Sequence, residues 1–220
     1  MLFLPVALVA FILFTLFLPV LFVLGYFQVI TLGFERLGIS SGMTMFLLLA
    51  ILIGSVINIP LGRRKYIYVE KTSFFGLFRK RGVQAEGLAI NLGGAVIPLL
   101  ISFYFFFLTW QQGFPLKPIL IVTLAMIVIS KLAAKVVPGK GITLPILFPP
   151  VASAVLAMIF ANEFAAPCAF ISGTLGVLIG ADLLNLHRAR KYGGFLSIGG
   201  AGVFDGIFLV GIVSALLAIF

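Results

Sequence analysis

The sequence predicts an all-α, polytopic membrane protein of about seven transmembrane helices, from its composition, its apolar runs and the placement of its charges. Of its 220 residues, 62% are hydrophobic and only 10% charged, with a mean hydropathy of +1.28. Soluble domains do not reach such values. Several runs supply the roughly 20 apolar residues that a helix needs to cross hydrocarbon, where it satisfies its own backbone groups.

The spans read as Leu4 to Ile30, Met43 to Ile59, Leu88 to Trp110, Pro118 to Ala134, Leu144 to Ala161, Pro167 to Leu186 and Ser197 to Phe220. The first opens without a basic segment and runs to Gly33 without a small-residue cleavage site, so it reads as a helix rather than a removable leader. Its length requires tilt, a kink near Pro19 or an interfacial extension. Pro149 and Pro150 should break or bend the fifth span.

Seven spans place Arg63, Arg64, Lys65, Lys71, Arg79, Lys80, Arg81, Lys131, Lys135, Lys140, Arg188, Arg190 and Lys191 on one side. Only Arg36 and Lys117 fall on the other. By the positive-inside rule the N-terminus is cytoplasmic and the C-terminus outside, in a multi-pass protein of the cell membrane. The net charge of +9 is therefore topological. It calls for the lipid bilayer as partner, not nucleic acid. One transmembrane domain covers 1–220, with a basic cytoplasmic loop or hairpin insertion at 61–87, whose KYIYVEK alternates like a strand.

Two segment matches suggest an internal repeat. IGSVINIPLGRRKY from Ile53 matches IGADLLNLHRARKY from Ile179, and LGGAVI from Leu92 matches IGGAGV from Ile198. Both copies would run outside to inside and back, giving three helices, a linking fourth and three more.

Four of the six acidic residues fall in predicted loops, whereas Asp182 and Asp205 fall within spans. A carboxylate there faces the bundle interior or a wet cavity and marks a functional candidate. Their helices are sequential and antiparallel, forming an aspartate-bearing pair over 173–216, and the two carboxylates would meet at similar depth near the cytoplasmic side. Gly199, Gly200, Gly202 and Gly206 surround Asp205 and would let backbones, or a substrate strand, approach. Two close carboxylates in low dielectric would share a proton, which suits aspartic-protease chemistry or a proton-coupled carrier. The bland alternative is that both merely cap or bond neighbouring helices. Asn58, Asn91 and Asn185, all near cytoplasmic span ends, serve either as caps and interhelical bonds or as a polar vestibule to the aspartates.

IGADLLNL around Asp182 and GGAGVFDGIFLVGIVSA around Asp205 resemble the aspartate-bearing helices of intramembrane aspartyl proteases of the presenilin and signal-peptide-peptidase type. The resemblance spans Gly173 to Leu216 and implies a catalytic dyad of Asp182 and Asp205. It departs from the family in three places. Val203 and Phe204 separate Gly202 from Asp205, Ala181 replaces the tyrosine before the first aspartate, and no Pro-Ala-Leu follows Asp205. Taken whole, the sequence is also similar to an uncharacterised membrane family of bacteria and archaea, which implies a prokaryotic plasma membrane.

Three readings follow: an intramembrane aspartyl protease or degenerate relative acting on a transmembrane peptide; a small proton-coupled or facilitative transporter of a small molecule, built on the repeat; and a scaffold using its basic cytoplasmic face. Only the second half carries the aspartates, where the first has Val56 and about Leu99, and this favours a specialised site. No cofactor or metal is expected. Phosphate loops, nucleophile elbows, haem motifs and zinc spacings are absent from the sequence, His187 has no ligand set, and the lone Cys168 excludes internal disulfides.

Overall fold

The computed structural model describes residues 15, 28, 31, 35, 39–62, 65–73, 78–137, 141–145, 147–200, 211 and 213. The chain divides into two compact units, Met1–Met45 and Phe46–Phe220. In the first, Ser40 caps a helix in the usual way, its Oγ accepting from the Met43 amide at 3.4 Å. The expected first span, Leu4 to Ile30, lies almost wholly outside the described residues.

The described chain is mostly helical. Helix α1 covers Ser41–Gly54, α2 Ile97–Gln111, α3 Lys117–Ala133, α4 Phe148–Phe160, α5 Ala165–Gly176 and α6 Leu186–Arg190. Two stretches are π-helical, Leu92–Val96 leading into α2 and Val177–Leu183 continuing α5. Two continuous helices, Leu92–Gln111 with 20 residues and Asn162–Arg190 with 29, are long and apolar enough to cross a membrane. They support a membrane location.

Proline opens α2, α3 and α4. In α3 and α4 its missing N–H falls in the first turn, where no intrahelical acceptor awaits it; Pro98 instead sits inside the continuous helix Leu92–Gln111, just past its π-helical opening. Pro149 and Pro150 therefore start the fifth expected span rather than bending it. Helix α5 is the hub of the second unit, packed by α2, α3 and α4. Phe170 on α5 meets Phe105 on α2 edge to face, with centroids 5.1 Å apart. The outer faces are the apolar ones: α2 exposes Leu100, Phe103, Phe107 and Trp110 while burying Ser102 and Thr109. The inner face also buries Pro98, Ile101 and Phe105, and a helix that is apolar all round suits a large core or a membrane span.

The all-α expectation needs correction, because six strands occur among the described residues. These are β1 Asn58–Pro60, β2 Lys65–Ser73, β3 Phe78–Asn91, β4 Lys135–Val137, β5 Gly141–Thr143 and β6 Phe195–Ile198. β3 is the spine of a four-stranded sheet. Its first part pairs with β2 from Ser73↔Phe78 to Lys65↔Glu86, so the 61–87 segment forms most of an antiparallel hairpin. Its last part carries β1 antiparallel, Asn58↔Asn91, and β6 parallel, Ile90↔Ile198. The expected second, third and seventh spans thus each lose an end to strand. Short apolar strands such as NIP and FLSI carry the same hydropathy as a helix end.

Under this sheet, Ala95, Val177, Leu178, Ala181 and Ile198 form a buried apolar cluster. The π-helical Val177–Leu183 is thereby fixed between the sheet and α3, which packs along it. The contact with α3 is close: a Cβ on Gly176 would overlap Met126 Cβ, and one on Gly180 would overlap the Ile127 carbonyl oxygen. Gly180→Ala should therefore lower stability by about 1–3 kcal/mol in detergent. Gly42→Ala, with nothing within 4 Å of the added methyl, should be neutral or stabilising by up to about 1 kcal/mol. Thermal melting of the purified variants separates the two effects.

Candidate functional site

Where the sheet meets the helices, polar side chains gather. Asn91 ends β3 and is almost fully buried. Its Oδ1 accepts from the Gly94 amide at 2.7 Å, capping the π-helical turn that opens α2. Its Nδ2 donates to the Ser55 carbonyl at 2.7 Å and to Asn58 Oδ1 at 3.2 Å. The Asn58 oxygen also accepts from Ser197 Oγ on β6. One carboxamide thus ties the end of α1, β1, β3 and the start of α2 together, and Asn58 extends the tie to β6.

Beyond Ile198 the chain leaves the strand. Gly199 has φ +70°, a left-handed conformation that glycine adopts without penalty. A Cβ there would also collide with Ala95. This turn aims the Gly199 N–H at Asp182, whose Oδ2 accepts it at 2.8 Å. Asp182 lies in the π-helical Val177–Leu183 and is half-buried. Gly199 N–H is its hydrogen-bond partner among the described residues, and no cation pairs with it there. π-helical turns recur at functional sites because the wider turn re-aims side chains.

Asn185 closes the same π segment. Its Nδ2 donates to the Gly180 carbonyl at 3.2 Å and the Ala181 carbonyl at 3.0 Å, groups that the wider turn would leave under-bonded. Asn185 therefore acts as a terminator rather than joining the Asn58–Asn91 tie.

The structure accordingly brings Asp182 to Gly199, and joins Asn58 to Asn91. Gly200 stands beside Ser197 and Asn58, where a Cβ would overlap the serine hydroxyl. Gly199 and Gly200 belong to a turn after β6, not to the helix expected from Ser197 onward. Asp205, Gly202 and Gly206 lie outside the described residues, so the expected meeting of the two carboxylates falls there too.

Sequence reasoning missed Ser197. The signal was present: extending the LGGAVI and IGGAGV match back by one residue aligns Asn91 with Ser197. These matching residues donate to the same Asn58 oxygen. Among the described residues no group of three His, Cys, Asp or Glu side chains could hold a metal ion.

A family model described as protein of unknown function (DUF1614) matches residues 52–217. No curated protein and no solved structure matches the chain.

The two polar centres should respond differently to substitution. Asn91→Ala strands the buried Gly94 amide and should lower stability by about 1–3 kcal/mol. Asp182→Asn keeps an oxygen for Gly199 and the same shape, and should stay within about 1 kcal/mol of the parent. Chemical denaturation in detergent, read by far-UV circular dichroism, measures both.

Proposed function

We propose that this chain, which belongs to the DUF1614 family, is a multi-pass membrane protein bearing an intramembrane aspartyl-protease-like site formed by Asp182 and Asp205. The single observation that carries the reading is the hydrogen bond from Gly199 to Asp182. It anchors one carboxylate to the opening of the very segment that carries the other. The resemblance of IGADLLNL and GGAGVFDG to the presenilin and signal-peptide-peptidase type supports the same pairing.

The wider membrane reading has seven spans, a cytoplasmic N-terminus and an external C-terminus. Its support is the thirteen-to-two split of basic residues and the apolar outer faces of the helices. In that frame Asp182 sits near the cytoplasmic end of its span. One carboxylate would take a proton from water as it attacks the scissile carbonyl, while the other, protonated, donates to the carbonyl oxygen. Gly199 and Gly200 are packed against Ala95 and Ser197, so Gly202 and Gly206 beside Asp205 would be the glycines that admit an unwound transmembrane peptide.

A second reading has its own support. Asn91 and Ser197 occupy matching places in the two repeat copies, and β3 and β6 lie parallel. Parallel strands from the two copies suit the parallel repeats of a small transporter, with an offset along the strands, because Ser197 pairs with Ala89 rather than with Asn91.

Both are tested on the purified protein. Under the protease reading, Asp182→Ala and Asp205→Ala each lower cleavage of transmembrane reporter peptides by at least about 100-fold while the fold is retained. A hydroxyl-bearing mimic of the tetrahedral intermediate should bind the parent and neither variant. Cleavage that persists in either variant sinks the dyad. Flux of small solutes into proteoliposomes without peptide cleavage would favour the transporter, and a cellular role surviving the double Asp→Asn change would favour the scaffold.

A further inference from the structure

Past the π segment, α6 packs against the β4–β5 hairpin. Between them opens a cavity of about 420 Å³ lined by Ala134, Val136, Asn185, Arg188, Lys191 and Tyr192. Small-molecule pockets run from roughly 300 to 1,000 Å³. The lining has two sides of different character. Ala134 and Val136, from the end of α3 and from β4, form an apolar wall. Facing them are two cations, a phenol and a carboxamide, with no carboxylate among them.

Basic residues at the last turn of a spanning helix are expected anyway, because they complement the helix dipole and the cytoplasmic side of the bilayer. That explanation asks only for charge near the end, on any face. Here the arrangement is directional. Asn185, Arg188 and Lys191 are spaced at i, i+3 and i+6, which places them along one side of the helix. His187 and Arg190 do not line the cavity.

The base of the cavity is held rigid. Asn185 is almost fully buried, and its amide nitrogen is fixed by the Gly180 and Ala181 carbonyls. The turn above it is closed by Lys191 N–H to the Arg188 carbonyl, Tyr192 N–H to that of Ala189 and Gly193 N–H to that of Arg190. Those backbone donors are used, so an anion would be held by side chains. Arg188, Lys191 and Tyr192 are exposed and able to close on it.

We propose that this cavity binds a phosphate ester, with Arg188 forking onto the phosphate oxygens, Lys191 adding a second charge and the Tyr192 hydroxyl a further donor. The apolar wall of Ala134 and Val136 would take the carbon skeleton of the ester. An anionic glycerophospholipid presents this chemistry at the level where a spanning helix ends, and a tyrosine there is at home in the interface. A soluble glycerol phosphate presents the same group. The site does not depend on the aspartates, and stands or falls separately from the proposed protease.

The test is a titration of the full-length protein in neutral detergent, read by native mass spectrometry. The ligands are dioleoyl phosphatidylglycerol, dioleoyl phosphatidylcholine and glycerol 3-phosphate. Phosphatidylglycerol should bind saturably and more tightly than phosphatidylcholine, weaken with added salt and be displaced by glycerol 3-phosphate. The double variant Arg188→Gln/Lys191→Gln should lose roughly 20-fold in affinity, each single variant several-fold, and Arg190→Gln less than about twofold. Glycerol 3-phosphate binding that needs Arg188 and Lys191, with no preference between the lipids, would retain the phosphate site and assign it a soluble ligand. Absence of any phosphate ligand dependent on these two residues overturns the proposal, as does equal weakening by Arg190→Gln.

Discussion

Helix α5 and the π segment that continues it touch α3 where Gly176 and Gly180 stand, one turn apart, against Met126 and Ile127. In hydrocarbon no hydrophobic force draws helices together, and association depends on dispersion between backbones close enough to exploit it. Two glycines on one face provide that closeness. Since α5 also packs against α2 and α4, the position of every described helix around it is referred to this contact. So is the phase of the π segment. The Leu184 amide reaches back five residues to the Ile179 carbonyl at 2.9 Å, not four. The side chains that follow, Asn185 and Arg188 included, are re-aimed by that wider turn.

A second constraint acts where helix gives way to strand. Every buried backbone donor and acceptor needs a partner, and hydrocarbon, where a spanning helix would lie, has no water to supply one. The carboxamides meet this need at each junction: Asn91 for the Gly94 amide and the Ser55 carbonyl, Asn185 for the Gly180 and Ala181 carbonyls. The sheet does the rest, with β3 paired on both sides at its end by β1 and β6. The end of α1, three strands and the start of α2 are thus held by one set of polar contacts around Asn58 and Asn91, and the turn that leaves β6 from that set delivers a backbone amide to Asp182.

How much of this was legible follows from what each signal measures. Hydropathy marks apolar runs, so α1 to α5 lie where the runs do, whereas the start of α4 at Pro149 follows from first-turn proline chemistry that the expected bend there overlooked. Hydropathy cannot separate a short apolar strand from a helix end, so Asn58–Pro60 and Phe195–Ile198 were absorbed into spans. The hairpin was half visible, because KYIYVEK in β2 alternates while FRKRG, which opens β3, does not. The π segment left no trace, since an i→i+5 bond is decided by tertiary packing around Gly180. At the site, the value of Asp182 and Asn91 could be read from the cost of burying polar groups. The Asn58 hub could not, for it requires β6 to lie beside β3, a pairing between residues far apart in sequence.

The contrast between the matching sequence segments IGSVINIPLGRRKY and IGADLLNLHRARKY bears on why a carboxylate stands at position 182. Val56 occupies the matching place in the first copy. There the polar work is done by neutral amides, and Asn91 has all of its principal donors and its acceptor engaged. A neutral side chain would serve equally well to hold the Gly199 amide. A carboxylate instead offers about four acceptor positions, and among the described residues one N–H, that of Gly199, meets them. Unused acceptor capacity on a half-buried anion is destabilising and has no structural return. A carboxylate at this position, where an amide would suffice to hold the Gly199 N–H, is the group that the proposed dyad would use.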